Sequence, residues 1–331
     1  MLHTSTDSEI MRSLLRSCCV VALCLLAHSA VAQTYPSHPI RMVVGFPPGG
    51  ATDLVARAVG ERLSEALGQP VVIDNRGGAG GTIGSDVVAK AAPDGYTLLM
   101  AAGAFSIAPS LYVKLPYDSV ADFTPVGLVA KGAFMLVANP SLPAKSVAEV
   151  VALARAKPGT LNFASTGVGA SPHLAGELLN SMAGIHLVHV PYKGDSAALA
   201  DLTGGRVELA IMSISASTPL AAAGRLRPLA VTSAQRSKLA PDVPTVGESG
   251  VPGYELTTWW GVLAPAKTPR EIVTRINAAL ERIASTPEFR ERLATVGVEA
   301  EGSTPEAFGA LIQREIEKNA RLVKAAGIKP E

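Results

Sequence analysis

Cysteine is confined to Cys18, Cys19 and Cys24. All three fall in one short apolar stretch near the amino terminus, so the rest of the chain can form no disulfide and offers no thiolate to a metal or a covalent intermediate. Aromatic residues make up 5%, which leaves few surfaces for stacking a planar ligand; Phe46, Phe105 and Tyr192 are those near the loops described below. The net charge is +1, without a basic block or an acidic run, and nothing in it attracts nucleic acid. Past the amino-terminal stretch no apolar run approaches the ~20 residues of a membrane-spanning helix. Beyond residue 32 the histidines are His38, His173, His186 and His189, with no HExxH or H-x-x-x-H spacing. His186 and His189 stand three apart on one expected strand and so point to opposite faces, unable to share a metal. No G-x-S-x-G elbow occurs, Ser165 and Ser171 lack an accompanying acid and base, and Asp53 and Asp195 stand alone in the expected cleft. These absences argue against an enzyme, a metal and a cofactor.

What is present starts with a leader pattern. Arg12 and Arg16 precede an apolar run at 18–27 (CCVVALCLLA), and Ala30-Val31-Ala32 supplies a small-x-small site before Gln33. Segment 1–32 reads as a secretory signal peptide cleaved after Ala32, with Met11 as an alternative start. The apolar run is too short to span a bilayer, and bulky Leu23 disfavours lipidation at Cys24. Cleavage removes Asp7, Glu9, Arg12 and Arg16 and leaves the net charge unchanged. A soluble, exported protein is expected.

The chain is organised around 40–63, IRMVVGFPPGGATDLVARAVGERL. Ile40, Met42, Val43 and Val44 form a short strand; Leu54, Val55, Ala58, Val59 and Leu63 then recur at helical spacing. Between them Pro47 and Pro48 stiffen a turn, Gly49 and Gly50 let backbone approach a ligand closely, and Thr52 or Asp53 can cap the helix. Backbone N–H groups at the helix start favour an anion, so a small carboxylate is the natural occupant. A purely structural β-to-α turn is the competing reading of this loop alone.

The pattern then repeats. Strands at 70–75 and 96–100 flank a helix at 82–90, and GGAGGTIG at 77–84 misses the dinucleotide-binding spacing because its last glycine comes one place late. Residues 123–139 run extended. A second α/β unit follows, with Ser146 and Glu149 as a capping box before a helix at 147–156, strands at 161–164, 186–192, 207–212 and 226–232, and helices at 172–182 and 196–202. Residues 253–265 are again extended and include Trp259 and Trp260, read either as both packed in a core or as one in a core and the other bordering the cleft or hinge. Amphipathic helices at 270–283, 287–295 and 305–325 close the chain. The expected fold is α/β with two lobes, each a mostly parallel sheet flanked by helices, joined by two extended hinge crossings. The first lobe would comprise 33–133 and 253–331, the second 134–252.

The second unit carries its own strand-loop-helix of ligand-binding character: Ser165, Thr166, Gly167, Val168, Gly169 and Ala170, with Ser171 expected as N-cap and Pro172 as the first helical residue. The loops at 192–196 and 213–217 end further strands and should rim the same crevice. Candidate ligand-binding residues are therefore Phe46, Gly49, Gly50, Ala51, Thr52 and Asp53 from the first loop and Ala102 and Gly103 after the third strand. From the second unit they are Ser165, Thr166, Gly167, Ser171, Tyr192, Asp195 and Ser215.

The stretches YPSHPIRMVVGFPPGGATDLVAR, VVIDNRGGAGGTIGSDVVAKAAPDGYTLL, FASTGVGASPHLAGELL, VPYKGDSAALADLTGGRVELAI and WWGVLAPAKTP resemble the Bug (Bordetella uptake gene) family, the extracytoplasmic solute-binding components of tripartite tricarboxylate transporters. The resemblance implies a type II-like periplasmic binding protein that closes on a small organic acid and presents it to integral-membrane permease subunits, working as a monomer. It also implies that 46–53 and 165–171 clamp a ligand carboxylate through backbone N–H groups and waters. Asp53 would stand where relatives that bind amino acids could meet an ammonium. A receptor serving another permease or a sensor kinase is the alternative, and an exported enzyme a more distant one.

Overall fold

Ten strands and ten α-helices follow one another in near alternation along the described residues, which in this computed structural model are 35–192, 194–325 and 327–330. The leader segment 1–32 lies outside them. Residues 35–37 carry no helix or strand, and all the elements belong to the unit His38–Glu331. The first elements are β1 (Ile40–Val44), α1 (Ala51–Leu67), β2 (Val71–Asn75), a 3₁₀ turn (Ala79–Gly81), α2 (Thr82–Ala89), β3 (Thr97–Ala102) and α3 (Ala104–Leu111). Next come β4 (Phe123–Ala138), α4 (Val147–Ala156), β5 (Asn162–Ser165), α5 (Ser171–Ala183), β6 (Val188–Pro191), α6 (Asp195–Thr203), β7 (Leu209–Ser213), α7 (Ile214–Ala222) and β8 (Arg227–Val231). The chain ends through β9 (Thr257–Pro265), α8 (Arg270–Ser285), α9 (Pro287–Ala294), β10 (Glu299–Ala300) and α10 (Pro305–Ala325).

The strand order is β2-β1-β3-β9-β4-β7-β5-β6, with β10 and β8 also pairing β4. Strands β2, β1 and β3 are parallel, as are β6, β5 and β7. Between these groups lies β4, 16 residues long. Its amino-terminal part pairs antiparallel with β9 from Phe123↔Pro265 to Ala133↔Thr257, and its last residues pair with β7 from Phe134↔Ser213 to Ala138↔Leu209. The chain thus passes from one sheet group to the other at Ala133-Phe134. It returns at Leu256-Thr257, where the Leu256 N–H still bonds the Thr232 carbonyl at 2.8 Å.

Each group has its own apolar core. Val43, Leu99, Phe105, Leu128, Trp259, Leu263 and Phe308 cluster on the first. On the second, Leu136, Phe163, Leu174, Leu209 and Ile211 pack on one side of the sheet and Met135, Ala164, Leu202, Ala210 and Met212 on the other. Such alternation along β4, β5 and β7 follows from the two-residue period of a strand covered on both faces. Helix α10 contributes Phe308 and Ile312 to the first core and Leu322 and Val323 to the second.

Several local expectations differ from the structure. Helix α1 is capped by Gly50, whose side-chain-free position makes no cap bond, rather than by Thr52 or Asp53. Helix α5 starts at Ser171 with Ala170 as its N-cap, because Pro172 sits comfortably at the second helical position as well as the first. The capping box of α4 is half formed: the Glu149 N–H bonds Ser146 Oγ at 3.2 Å, but Glu149 Oε2 accepts from the Lys145 N–H at 2.8 Å. Helix α7 begins in a stretch expected to be a loop, and helix α3 occupies one with no expected element. Both contain an internal proline, Pro109 and Pro219, and tertiary packing overrides that breaker: Ser106 of α3 is fully buried and accepts from Asn319 Nδ2 of α10 at 3.1 Å. His186 precedes β6 instead of lying within it.

Gly261 on β9 faces the Phe308 ring, and a Cβ there would fall 2.2 Å from Phe308 Cζ. Gly261→Ala should therefore destabilise the chain by about 1–3 kcal/mol through overpacking. Adding Phe308→Leu should recover part of that loss, which urea denaturation of the single and double variants would show. Additive losses would mean that the two residues do not compete for the same space.

Candidate functional site

The first loop leaves β1 and enters α1 over residues 45–50. Its shape depends on close backbone packing against the glycine-rich turn: a Cβ on Gly45 would lie 2.8 Å from Gly81 Cα, and one on Gly84 would lie 2.8 Å from Gly45 Cα. This explains the glycines of 77–84 structurally, as a platform under the loop. Phe46 rests its ring near Gly81, and its carbonyl accepts from Asn75 Nδ2 at 3.0 Å. Gly50 is extended at φ −79°. The first N–H groups of α1, at Ala51, Thr52 and Asp53, have no acceptor within the helix by helix geometry.

Asp53 is 1% exposed and turned back onto its own loop. Its Oδ2 accepts from the Gly49 N–H at 2.9 Å and from Arg57 Nε at 2.9 Å; its Oδ1 accepts from Asn75 Nδ2 at 2.9 Å. Burial pushes its pKa up, but the Arg57, Gly49 and Asn75 donors outweigh burial and hold the carboxyl below its usual value. The negative charge that would repel an anion at the helix start is thus engaged inside the protein. Thr52 is also buried, accepting from Trp260 Nε1 at 3.1 Å. Trp259, on the opposite face of β9, packs edge-to-face on Phe308 with centroids 5.3 Å apart.

Strand β3 ends beside β9, with Ala102 opposite Trp260, and Gly103 follows as the N-cap of α3. A Cβ on Gly103 would lie 2.6 Å from Thr258 Oγ1 and 3.6 Å from Ser171 Oγ. Ser171 is the first residue of α5, from the other sheet group. Thr52, Ala102, Gly103 and Ser171 are therefore linked in a chain of contacts through Trp260 and Thr258, and the starts of α3 and α5 abut.

In the second loop Ser165 Oγ accepts from the Gly167 N–H at 3.2 Å and lies 2.7 Å from His189 Nε2. Gly167 and Gly169 adopt φ 141° and φ 72°, which side chains other than glycine rarely take. Gly169 is packed against Leu111 at the end of α3. Thr166 is half-buried. The Tyr192 N–H bonds the Ser165 carbonyl at 3.0 Å, while the Tyr192 hydroxyl turns away to donate to Asp201 Oδ2 at 2.8 Å. Asp195 begins α6 and accepts from Ser213 Oγ at 2.6 Å; burial pushes its pKa up, partly offset by that hydroxyl. Ser215 donates to the Val296 carbonyl at 3.1 Å and packs tightly on Gly297, so its hydroxyl is committed to a contact with the segment before β10.

Two small cavities border these residues. One lies among Phe46, Gly81, Ala102, Phe105 and Tyr117, the other among Gly103, Ile107, Ser171, Leu256 and Asn319; each measures about 10 Å³, room for one water. A much larger groove of about 780 Å³ runs between the starts of α8 and α10, past Arg270, Asn277, Thr304 and Gln313. It touches none of the candidate residues and is open to solvent along its length. Among the described residues no group of histidine, cysteine and carboxylate side chains could hold a metal, and no helix is long and apolar enough to cross a membrane.

Sequence reasoning did not identify Asn75, Arg57, His173 or His189 as part of this region. Arg57 carried a usable signal, since it stands one helical turn after Asp53. The others reach the loops only through the fold.

Comparison with known proteins follows the same direction. Residues 55–328 match the family model described as "Tripartite tricarboxylate transporter family receptor". The UPF0065 protein from the tcbD-tcbE intergenic region of a Pseudomonas species is 42% identical over 307 residues, covering 92% of this chain and 91% of that protein. Protein BugT of Bordetella pertussis is 38% identical over 311 residues, covering 93% and 95%. A solved R. palustris protein with adipate is 40% identical at a TM-score of 0.79, covering 90% of this chain and 100% of that one. MatC from Rhodopseudomonas palustris with bound malate is 34% identical at a TM-score of 0.74, covering 87% and 100%.

Asp53→Asn should weaken the first loop by about 1 kcal/mol at neutral pH, because the carboxylate charge that strengthens the bonds from the Gly49 N–H and Arg57 is removed and one of its two accepting oxygens becomes an NH2. The lowered carboxyl pKa makes this contribution full above the unfolded-state value near 3.8 and progressively lost as pH falls through the folded value. Urea unfolding near neutral pH and at about pH 3 should show the gap between wild type and variant closing in acid. A gap independent of pH would mean that the charge of Asp53 does not matter.

Proposed function

The chain belongs to the tripartite tricarboxylate transporter receptor family, and from that premise we propose that it captures a small organic carboxylate between the starts of α1, α3 and α5 and delivers it to a membrane permease. The family and its solved neighbours are periplasmic solute receptors rather than enzymes. The observation that carries the reading is the meeting of helix starts from the two sheet groups, with Ser171 of α5 lying against Gly103, the N-cap of α3. Neither Gly50, Gly103 nor Ala170 makes a side-chain cap bond; the Ser106 N–H is taken by the Gly103 carbonyl and Pro172 has none, which leaves the first N–H groups of α1, those of Ala104 and Phe105, and those of Ser171 and His173 to face an acceptor. An anion held by several such donors gains charge-assisted hydrogen bonds without any cationic side chain. That adipate and malate accompany the neighbouring structures supports a carboxylate.

In this reading Phe46, Gly49, Gly50, Ala51, Thr166, Gly167 and Ser171 line the ligand, and Asp53 shapes the loop without meeting an ammonium. Residues 33–133 with 253–331, and 134–252, act as lobes. In this reading a ligand enters as the lobes part at Ala133-Phe134 and Leu256-Thr257 and is held as they close around it. The chain is exported with cleavage after Ala32 and acts as a monomer.

A thermal-shift screen of 33–331 against organic acids and amino acids tests the reading. An acid at a hundred times its dissociation constant should stabilise by about 2.7 kcal/mol, several degrees in melting temperature. No shift with any carboxylate would remove the anion site. Gly50→Val should abolish that shift while hardly changing the melting temperature of the free protein, because Gly50 has negative φ and a Cβ there meets nothing closer than the Pro47 carbonyl at 3.8 Å. Retained binding by this variant would separate the loop from the ligand.

A further inference from the structure

Behind the second loop two imidazoles are stacked face to face. The rings of His173, on α5, and His189, on β6, have centroids 3.7 Å apart and planes 14° apart. The fully buried Phe163 ring lies 5.0 Å from His189 and 6.5 Å from His173. His173 is 5% exposed. Both rings spend a nitrogen on the loop. Nδ1 of His173 accepts the Gly169 N–H at 3.0 Å, and Nε2 of His189 bonds Ser165 Oγ at 2.7 Å, the same oxygen that accepts the Gly167 N–H and lies 3.2 Å from the Gly167 carbonyl. The two glycines whose backbone is left-handed are thus each fastened to one histidine, Gly169 directly and Gly167 through Ser165.

This arrangement fixes protonation states. Because Nδ1 of His173 is an acceptor, it carries no proton, and the neutral ring bears its proton on Nε2, which faces Glu177 Oε1 at 3.7 Å. Glu177 also accepts from Asn180 Nδ2 at 3.2 Å. A second proton on His173 would set an N–H against the Gly169 N–H, and two charged rings in stacking contact would repel. The titratable groups facing the pair are the two histidines themselves and Glu177. Burial, and then the neighbouring His173, lower the His189 pKa to about 4, with Glu177 opposing them in part. Glu177 stays below its ordinary value, its burial outweighed by His173 and Asn180.

We propose that His173 and His189 are positioning residues for ligand capture: as a neutral stacked pair they hold Gly167 and Gly169 in the conformation that aims the start of α5 at the ligand, and protonation of the pair releases the loop. The inference rests on the reading that this loop grips a carboxylate. Neither ring touches the ligand; both act through Ser165 and the glycine N–H groups. The device makes capture a property of neutral and mildly acidic conditions and couples release to acidification.

Three variants separate positioning from bulk packing. His173→Phe keeps an aromatic ring in the stack and removes the acceptor. His173→Asn places an amide oxygen near the former Nδ1, and His189→Gln places an amide near the former Nε2; neither can be protonated in this range. Without any ligand, amide hydrogen exchange read by NMR should show Gly167 and Gly169 protected in wild type near pH 7 and losing protection between about pH 6.5 and about pH 4. In His173→Phe the Gly169 amide should be unprotected at every pH, and in the double variant His173→Asn/His189→Gln both amides should stay protected throughout. Titration calorimetry with adipate, or with the panel acid giving the largest thermal shift, should show affinity at pH 7 reduced about tenfold or more in His173→Phe. The double variant should keep near wild-type affinity with a flatter pH profile. Wild-type affinity in His173→Phe, or a double variant as pH-dependent as wild type, overturns the proposal. If wild type binds no carboxylate while the exchange pattern holds, the carboxylate reading fails and the anchoring of the loop stands.

Discussion

Everything in this fold hangs on β4 pairing in two places at once. Its first eleven residues, 123–133, hydrogen-bond to β9, and its last five, 134–138, to β7 and β8. A strand can do this because each residue's N–H and C=O pair independently of those further along it, so one long strand can serve two sheets in succession. The consequence is that two parallel sheets, each with candidate loops at the carboxyl ends of its strands, are joined by continuous backbone rather than by a linker. Their loops are brought together by register, as in the pairing that sets Ala102 opposite Trp260 and hence Gly103 near Ser171.

The chemistry of the site follows from what is kept away from it. With a net charge of +1 over the whole chain and no cationic side chain among the candidate residues, an anion held in the proposed site would be attracted by backbone dipoles at helix starts. That attraction is only useful if Asp53, three residues into α1, does not cancel it. Its three donors, from Gly49, Arg57 and Asn75, draw the carboxylate inward and neutralise it. The same interactions clamp Gly49 over the helix start, so one buried side chain both shapes the loop and removes the repulsion.

How far the sequence speaks for this can be seen residue by residue. The β-branched run Ile40–Val44, the glycines after it and the apolar spacing of α1 are local signals, and they placed the first loop correctly. The capping residues were less legible, because Thr52, Asp53 and Ser171 all carry good capping side chains yet each is used otherwise: Thr52 by Trp260, Asp53 by Gly49 and Arg57, and Ser171 by its place against Gly103. Helices α3 and α7 were hidden by Pro109 and Pro219 and by serine-rich, weakly periodic stretches whose burial against α10 and β7 no short window reveals. The histidine pair was hidden more thoroughly. His189 looks like half of a strand alternation with His186, whereas the strand begins two residues after His186, and its stacking partner lies on a helix sixteen positions earlier in the chain.

For a ligand to be captured as proposed, the two sheet groups would have to part. The contacts that cross between them near the crossings are few and polar. Ser237 Oγ bonds Glu299 Oε1 at 2.7 Å and Ser215 Oγ bonds the Val296 carbonyl at 3.1 Å. Water can replace each of them as they separate. Helix α10 is different, since Phe308 and Ile312 are seated in one core and Leu322 and Val323 in the other. Pulling its last turns out of the second core would expose apolar area at roughly 25 cal/mol per Å², so the cheaper motion pivots about that end of the helix. In the proposed opening, a pivot there with small backbone rotations at Ala133-Phe134 and Leu256-Thr257 would part the loop side, where Gly169 meets Leu111 and Ser171 meets Gly103; because Ile107 and Leu111 of α3 also pack on the second core, their apolar surface would be exposed as it opens.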